Sequence, residues 1–334
     1  MRPWAFSGFT CRRGALRSGR YNVDATANSG PSRGGQAGHH GRSPPAGQRR
    51  ERGGQAQTRG DELTYGALDL GTNNCRLLVA SPSASGFKVV DAFSRIVRLG
   101  EGLAGRADFL PVAAERTLRA VEEFAAEAVG LGVERMEALG TEALRRVADP
   151  GPFAAELARL TGVDLDVLDP ALEARLAYRS GRALVDDGEV PLCTLDVGGG
   201  STEVLSGQGA IPVGRALLPI GALRLKEACV RREPPGEAEV ACMVQAVGEA
   251  SAGRFSTVAC SRLVGMGGTI MVLSSILRGE PSFEPPLLHG RRLSLEGVRS
   301  VIRTMVGLTP EQRARVKGLP ADRADLALPG AVIV

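Results

Sequence analysis

Short apolar runs alternate with amphipathic stretches along the chain from about residue 62 to its end. Apolar runs bounded by turn residues predict buried strands, and apolar positions three or four residues apart predict helices. We predict strands at Tyr65–Leu70, Cys75–Ala80, Gly86–Arg98, Val133–Leu139, Pro191–Val197, Thr202–Ser206, Ile211–Pro219 and Leu263–Met266. We predict helices at Pro111–Gly130, Pro152–Thr161, Pro170–Val185, Gly221–Cys229, Gly236–Ala250, Ser294–Val306 and Arg323–Val334. Strands that alternate with helices indicate an α/β fold.

Two of the predicted strands lead into the same short sequence pattern. Residues 69–76 read Asp-Leu-Gly-Thr-Asn-Asn-Cys-Arg, and residues 196–203 read Asp-Val-Gly-Gly-Gly-Ser-Thr-Glu. In each segment a glycine follows the acid by two residues, and a charged residue follows it by seven. The duplication indicates two related strand–turn–strand units.

A tight reversal of the second unit would bring two carboxylates together. If the chain turns in the middle of its glycine run, Asp196 lies opposite Glu203, with their Cβ atoms about 5 Å apart. Carboxylates so close repel each other unless one is protonated or a cation lies between them, and Mg²⁺ prefers such oxygen ligands. In the first unit the same register pairs Asp69 with Arg76, which neutralise each other. We therefore predict a Mg²⁺ site near the second hairpin, with Asp69, Asp196 and Glu203 as its ligands.

Three glycine-rich segments predict a site for phosphate. Glycine permits positive φ and lets backbone amides approach a ligand closely, and successive amides can form a nest for an anion. The segments are residues 71–74, 198–201 and 265–269. The third one also precedes a predicted helix that ends at Leu277, and a helix N-terminus favours negative charge. One such segment alone is usually only a turn, but three of them beside opposed acids indicate a cleft for phosphates and a metal. The phosphate-binding residues predicted from these segments are Gly71, Thr72, Asn73, Gly198, Gly199, Gly200, Ser201, Gly267, Gly268 and Thr269.

An ordered set of motifs then gives the chain a resemblance to a known family. The motifs lie at residues 67–76, 95–103, 140–146, 173–175, 195–203, 219–221, 265–269, 289–290 and 322–325. In this order and spacing they resemble the exopolyphosphatase / guanosine pentaphosphate phosphatase (Ppx/GppA) family of the actin–sugar kinase–heat-shock ATPase superfamily. A single motif would be a weak signal, whereas the ordered set is specific.

The resemblance implies a fold and a set of residue roles. It implies two actin-like (ribonuclease H-like) α/β domains with mixed sheets, an active site in the interdomain cleft, and Mg²⁺-dependent hydrolysis of phosphoanhydrides. Glu173 matches the catalytic base, and Asp196 and Glu203 match the acids that organise metal and phosphate. Arg98 and Arg145 match basic positions that line the cleft and bind phosphate. Taken alone, the residues also allow Glu173 to be a surface carboxylate paired with an arginine, and they allow both arginines to form structural ion pairs.

The composition divides the chain into three predicted regions. Residues 1–61 form a basic tail that we expect to be disordered, residues 62–188 the N-terminal domain and residues 189–334 the C-terminal domain. The tail is rich in Gly, Arg, Ser and Pro without an apolar period, so it buries too little apolar surface to fold. It would serve either as an electrostatic arm for a polyanion or as a solvated extension. Because the family usually continues beyond the last helix, the apolar end at Val334 and the helix-breaking Pro329 predict a truncated C-terminal domain.

Charge limits the classes of partner. The net charge is +4, but residues 1–60 hold eleven arginines against two acids, which leaves 30 basic and 35 acidic residues in the rest. The mildly acidic body argues against nucleic-acid binding. No apolar run approaches the roughly 18–20 residues that span a membrane.

Cysteine and histidine usage limits the chemistry further. The six cysteines are scattered without a C-x-x-C pair, which argues against a zinc site and a disulfide scaffold and favours a reducing, cytoplasmic location. We expect Cys75 and Cys193 to be inert core residues. His289 is the one histidine outside the tail, and we expect it to be packed rather than catalytic.

Three classes of function follow from these observations. The first is a hydrolase that releases terminal phosphate from inorganic polyphosphate or the 5′ phosphate from guanosine pentaphosphate. The second is a kinase of the same superfamily, and the third is an inactive homologue that binds polyphosphate or an alarmone. A homodimer is implied by the resemblance alone.

Overall fold

The computed structural model describes residues 63–84, 86–185, 190–259, 261–280, 283 and 285–334. The basic tail predicted for residues 1–61 lies outside the described residues.

The N-terminal part of the chain forms a mixed five-stranded sheet. Its strands are β1 (Tyr65–Leu70), β2 (Asn74–Ser83), β3 (Gly86–Ile96), β4 (Arg135–Gly140) and β5 (Leu165–Val167). They are ordered β3-β2-β1-β4-β5, with β1 antiparallel to β2 and parallel to β4. The helices of this part are α1 (Pro111–Gly130), α2 (Glu142–Arg146) and α3 (Gly151–Thr161).

Helix α1 covers this sheet through one apolar face. Its buried positions, among them Ala113, Val121 and Phe124, recur at helical spacing, and Pro111 begins the helix without the loss of an intrahelical hydrogen bond. Phe124 stacks at an angle on Phe93 of β3, with 5.9 Å between the ring centroids. The core of the first unit therefore lies between α1 and the sheet.

The C-terminal part repeats this topology in a four-stranded sheet. Its strands are β6 (Leu192–Val197), β7 (Thr202–Gln208), β8 (Ile211–Leu218) and β9 (Arg262–Met266), ordered β8-β7-β6-β9. As in the first sheet, the first strand is antiparallel to the second and parallel to the fourth, so β6 pairs with β7 and β9. The helices that follow α3 are α4 (Pro170–Arg182), α5 (Ala222–Cys229), α6 (Glu237–Ser251), α7 (Gly267–Arg278), α8 (Pro285–Leu288), α9 (Leu295–Met305), α10 (Pro310–Arg313) and α11 (Ala327–Ile333), with a 3₁₀ turn at Ala321–Arg323.

Helix α4 connects the two parts of the fold. Asp169 caps its N-terminus by accepting hydrogen bonds from the amides of Ala171 and Leu172. Further along the helix, Ala174 and Tyr178 pack against Leu205 of β7, so α4 lies on the second sheet. The domain boundary expected at residues 188–189 stays a prediction, because residues 186–189 are outside the described ones.

The C-terminal helix differs from the prediction. The sequence predicts a helix over Arg323–Val334 that Pro329 breaks, but α11 begins at Ala327 and its first five residues are buried. Pro329 lies in the first turn, where its missing amide removes no intrahelical hydrogen bond. The last residues, Ile333 and Val334, pack against the core of the second sheet.

The cysteines also differ from the prediction. Cys229 at the end of α5 forms a disulfide with Cys242 of α6, and Cys193 of β6 is disulfide-bonded as well. The pattern gave no sign of this, because residues that are far apart in a scattered sequence can still meet when two helices pack. Cys75 is a free, buried thiol, as expected. No helix among the described residues combines the length and apolarity needed to cross a bilayer.

Candidate active site

The two predicted hairpins form with the predicted register. In the first, Asp69 lies opposite Arg76, and in the second Asp196 lies opposite Glu203. Each turn is closed by the same hydrogen bond, which the glycine amide donates to a carbonyl three residues later. The N–O distance is 2.9 Å from Gly71 to Asn74 and 3.0 Å from Gly198 to Ser201. The repeated sequence pattern therefore folds into a repeated turn.

Both turns face one cavity of about 160 Å³ that both sheets help to line. Most of the predicted site residues lie in its wall, and these are Asp69, Gly71, Thr72, Asn73, Glu173, Asp196, Gly198, Gly199, Gly200, Ser201, Glu203, Gly268 and Thr269. Arg98, Arg145 and Gly267 are not among the described residues that line it. Thirteen of the sixteen predicted residues therefore lie around one cavity, and the roles assigned to all sixteen stay predictions.

The second turn needs glycines for lack of space, and not for the positive φ that we predict from its sequence. None of Gly198, Gly199 and Gly200 has a positive φ. Instead, a Cβ at Gly199 would lie 3.1–3.3 Å from Thr72 and Asn73 of the first turn, and a Cβ at Gly200 would overlap the carboxylate of Glu142. Glycine is required here because the first unit fills the space in which side chains would stand.

The third glycine segment is the beginning of a helix rather than a loop. Helix α7 starts at Gly267, which has a φ of 80° and therefore suits glycine. A Cβ at this position would also lie 2.7 Å from the Asp196 carboxylate. The Thr269 hydroxyl donates to the Val197 carbonyl at 3.3 Å, which fixes the helix against β6. Gly267 therefore contacts the site through Asp196, although it lies outside the cavity wall.

The two aspartates at the ends of the first strands share one electrostatic environment. Burial raises the pKa of Asp69 above its ordinary value, and Arg76, with 3.5 Å between the charged groups, partly offsets this. Burial also raises the pKa of Asp196, where Arg76 again opposes the shift and Asp69 adds to it. The two units therefore bring their acids close enough to repel.

The two glutamates add to this negative charge. Burial, followed by repulsion from Asp196, raises the pKa of Glu203 to about 8, against a hydrogen bond from Ser201 that lowers it. Burial likewise raises the pKa of Glu173, despite an ion pair with Arg145 at 2.8 Å. Four carboxyl groups with raised pKa values thus converge on one cavity, which is a pattern typical of functional sites.

The predicted phosphate-binding arginines are engaged elsewhere. Arg98 forms a bidentate ion pair with Asp325, with N–O distances of 2.8 and 2.9 Å, so its assignment to phosphate is not supported by its position. Arg145 donates both to Glu173 and to the Leu168 carbonyl, each at 2.8 Å. Both residues match the alternative interpretation as ion pairs, and Arg145 orients the carboxylate of Glu173.

Several cavity residues were not predicted. Glu142 begins α2, accepts a hydrogen bond from the Thr72 hydroxyl at 3.0 Å and lies against Gly200. Arg76, Asn74 and Arg323 also line the wall. The signal for Arg76 was present in the hairpin register, whereas Glu142 and Arg323 come near the turns only through tertiary packing.

The donor set fits a hard divalent cation. Three carboxylates from two hairpins face the cavity, and their raised pKa values mean that a cation would relieve their repulsion. The buried Oδ1 of Asn73, also in the wall, has no hydrogen-bond partner in the described chain. No three acids, histidines or cysteines of the described residues form a ready-made cage. Mg²⁺ usually keeps several waters and binds through one or two carboxylates plus substrate phosphates. The site of three ligands at Asp69, Asp196 and Glu203 therefore stays a prediction.

Comparison with known proteins decides the family. The model of the Ppx/GppA phosphatase family matches residues 78–334. The chain belongs to the Ppx/GppA phosphatase family. It is similar to exopolyphosphatase 2 of Mycobacterium tuberculosis, with 31% identity over 280 residues that cover 80% of this chain and 88% of the relative.

Two solved structures support the same assignment to the Ppx/GppA family. One is an exopolyphosphatase-like protein with a TM-score of 0.77 and 27% identity, covering 82% of this chain and 86% of that one. The other is the Ppx/GppA family member of Aquifex aeolicus, with a TM-score of 0.66 and 27% identity over 81% of this chain and 88% of that one. The predicted two-domain actin-like fold is thereby confirmed.

Proposed function

We propose that the chain is a metal-dependent exopolyphosphatase that releases terminal phosphate from inorganic polyphosphate. The observation that carries this proposal is the convergence of four buried carboxyl groups and two related turns on one cavity. Hydrolysis of a phosphoanhydride needs positioning and charge stabilisation more than a covalent nucleophile, and this cavity offers both. The names of the relatives support the same substrate class, since one is an exopolyphosphatase and one solved structure is an exopolyphosphatase-like protein.

Asp69, Asp196 and Glu203 would hold Mg²⁺ in this proposal. When bound, Mg²⁺ supplies positive charge that neutralises the phosphate oxygens as negative charge develops on them. The residues themselves contribute fixed oxygen ligands, and Arg76 limits the negative charge that they present together.

Glu173 would orient the attacking water and accept its proton. A glutamate at its ordinary pKa is a weak base at neutral pH, whereas a raised pKa brings it closer to the operating pH. Burial supplies this shift, and the bond from Arg145 fixes the direction of the carboxylate without cancelling the shift. Water attack then forms the new P–O bond as the bond to the remaining polyphosphate breaks.

The turns would hold the phosphates. In the proposal, the amides of residues 72–73 and 199–201 and the first turn of α7 with Gly268 and Thr269 surround the terminal phosphate from three sides. Gly71 and Gly198 contribute by closing the two turns with their own amides. Gly267 would help only by allowing α7 to approach Asp196. Arg98 is withdrawn from this set because its guanidinium binds Asp325.

Polyphosphate is the proposed substrate because the relative from Mycobacterium tuberculosis is named an exopolyphosphatase, and guanosine pentaphosphate stays the alternative. A homodimer stays a prediction. The cytoplasmic location also stays a prediction, and the cysteines no longer support it, because disulfides are rare in reducing compartments.

The test is phosphate release with polyphosphate and with guanosine pentaphosphate, for the wild type and Glu173→Gln. Because general-base catalysis contributes about 10²–10⁴-fold, we expect a loss of kcat of that order on polyphosphate. The control is Glu156→Gln, which breaks a comparable helix pair with Arg159 on the exposed surface and should leave kcat unchanged.

Other outcomes would replace the proposal. Full activity of Glu173→Gln would reject Glu173 as the base. Faster release from guanosine pentaphosphate would change the substrate, and ATP-dependent phosphorylation of an acceptor would indicate a kinase. Binding of polyphosphate without turnover in Mg²⁺ would indicate a sensor.

A further inference from the structure

Asp325, between the 3₁₀ turn and α11, accepts ion pairs from both parts of the fold. Its two carboxylate oxygens bind Arg98, which precedes α1 in the N-terminal part. The same carboxylate binds Lys226 of α5, with 2.6 Å between Nζ and Oδ2. All three side chains are largely buried, at 17–26% exposure. Burial alone would raise the pKa of Asp325, but the two cations hold it below its ordinary value, so the carboxylate is charged.

The segment that carries Arg98 supports the first turn from behind. The amides of Val97 and Arg98 both donate to the Asn73 carbonyl, at 2.9 and 3.0 Å, and the Gly100 amide donates to the Thr72 carbonyl at 2.9 Å. Arg98 has a φ of 49°, a left-handed conformation that residues other than glycine rarely adopt. The surrounding hydrogen bonds maintain this conformation, in which the side chain reaches Asp325.

The helix that carries Lys226 supports the second turn in the same way. The amide of Ala222, at the start of α5, donates to the Gly198 carbonyl at 2.9 Å, and the Leu223 amide donates to the Gly199 carbonyl at 3.0 Å. A second bond also crosses between the two parts, because Glu227 of α5 accepts from the Gly102 amide at 2.8 Å. Each turn is therefore held by a segment that carries a basic side chain, and both side chains, Arg98 and Lys226, bind Asp325.

We propose that Asp325 is a positioning residue that sets the separation of the two phosphate-binding turns, through Arg98 on one side and Lys226 on the other. It touches neither phosphate nor water in this role. Because it concerns turns that bind phosphate, the inference rests on the proposed function. If the turns are correctly spaced in only a fraction of molecules, the apparent affinity for substrate is multiplied by that fraction. The turnover number kcat of molecules that have bound substrate is unchanged.

The first test is kinetic and uses the full chain with Asp325→Asn, which keeps the shape of the side chain and removes its charge. We expect KM for polyphosphate to rise about tenfold with kcat changed by less than about twofold. Lys226→Met, which leaves the Arg98–Asp325 pair intact, should give a smaller rise in KM. A variant that merely unfolds more easily would instead lose kcat in proportion to its inactive fraction and keep KM.

The matched control is Glu101→Gln. It breaks the ion pair between Glu101 and Arg116, 3.0 Å apart, close to Arg98 in the chain but within the N-terminal part alone. KM should stay at the wild-type value in this variant. An equal rise of KM in Glu101→Gln and Asp325→Asn would overturn the proposal, since any disturbance near the segment would then suffice.

The second test needs no substrate and separates this inference from the proposed function. Hydrogen–deuterium exchange of the metal-free protein should be about tenfold faster in peptides that contain residues 71–74 and 198–201 of Asp325→Asn, and unchanged in Glu101→Gln. If both turns of Asp325→Asn exchange at the wild-type rate, Asp325 has no positioning role. If wild type releases no phosphate but the exchange result holds, the proposed function fails and the positioning role of Asp325 stands.

Discussion

The two hairpins have the same backbone geometry but differ in the charge of their side chains. Both have an acid at the end of the first strand, the same closing hydrogen bond and the same register. In the first hairpin the opposed residue is Arg76, which offsets the charge of Asp69, and in the second it is Glu203, a second acid whose pKa the neighbouring Asp196 helps to raise. The first hairpin therefore pairs an acid with a base, whereas the second opposes two acids, which is where the proposed Mg²⁺ would be needed.

The turns differ in bulk in a complementary way. Thr72 and Asn73 occupy the first turn, and at the equivalent places of the second turn stand Gly199 and Gly200. Side chains of the first turn fill the space beside Gly199, and Glu142 of α2 fills the space beside Gly200. The two units are therefore not equivalent, because the first supplies side chains and an arginine, and the second supplies an open backbone and a second acid.

The largest expected loss of kcat/KM comes from changing Arg76 and Glu203, which occupy equivalent positions in the two hairpins. Glu203→Gln should lower kcat/KM on polyphosphate by about 10²-fold or more, because it removes a proposed metal ligand. Arg76→Gln should lower it by about tenfold, because only the partial offset of the acids is lost. Steady-state phosphate release measures both, and a greater loss for Arg76→Gln would contradict the comparison.

An intermediate effect is expected from the contact between Glu142 and the second turn. Gly200→Ala places a methyl group against the Glu142 carboxylate and should raise KM by about tenfold, since the turn or Glu142 must move. Removing the obstruction in Gly200→Ala/Glu142→Ala should recover most of that loss, and Glu142→Ala alone serves as the control. Additive effects of the two substitutions would show that they do not interact.

The smallest effect concerns stability and pH. Because the folded pKa of Glu203 is about 8 and its unfolded value is near 4.5, the native state binds the extra proton between these values. The free energy of unfolding of the metal-free protein should therefore fall as pH rises from about 5 to 8.

Glu203→Gln tests this assignment, because it removes that titration. The variant should be more stable than wild type at pH 8 by at least about 1 kcal/mol, and the two should converge near pH 5. Urea denaturation at both pH values without metal checks this. Parallel pH profiles of the two proteins would show that another group titrates.

The elements that determine the site were predictable because their signals are local. Strand β1 and helix α1 have the predicted bounds, and the hairpin registers follow from the spacing of Asp69, Arg76, Asp196 and Glu203. These features depend on periodicity and turn chemistry within a few residues. Strand β5 was missed because three residues give no periodic signal.

The features that were not predictable depend on contacts between distant segments. The pairing of Arg98 with Asp325 joins residues 227 positions apart, and the approach of Glu142 to Gly200 also crosses between the two sheets. The disulfide between Cys229 and Cys242 requires the packing of α5 on α6. Pro329 was misjudged because its effect depends on its place in the helix, which the pattern defines only to within a few residues.

The central claim is that acids from both hairpins bind one divalent ion. Calorimetric titration of Mg²⁺ into the wild type, Asp69→Asn and Asp196→Asn without substrate tests it most directly. A shared ion predicts that each substitution weakens binding by at least about tenfold, with no binding in the double variant. Wild-type affinity in Asp69→Asn would mean that the first hairpin takes no part, and it would contradict the account.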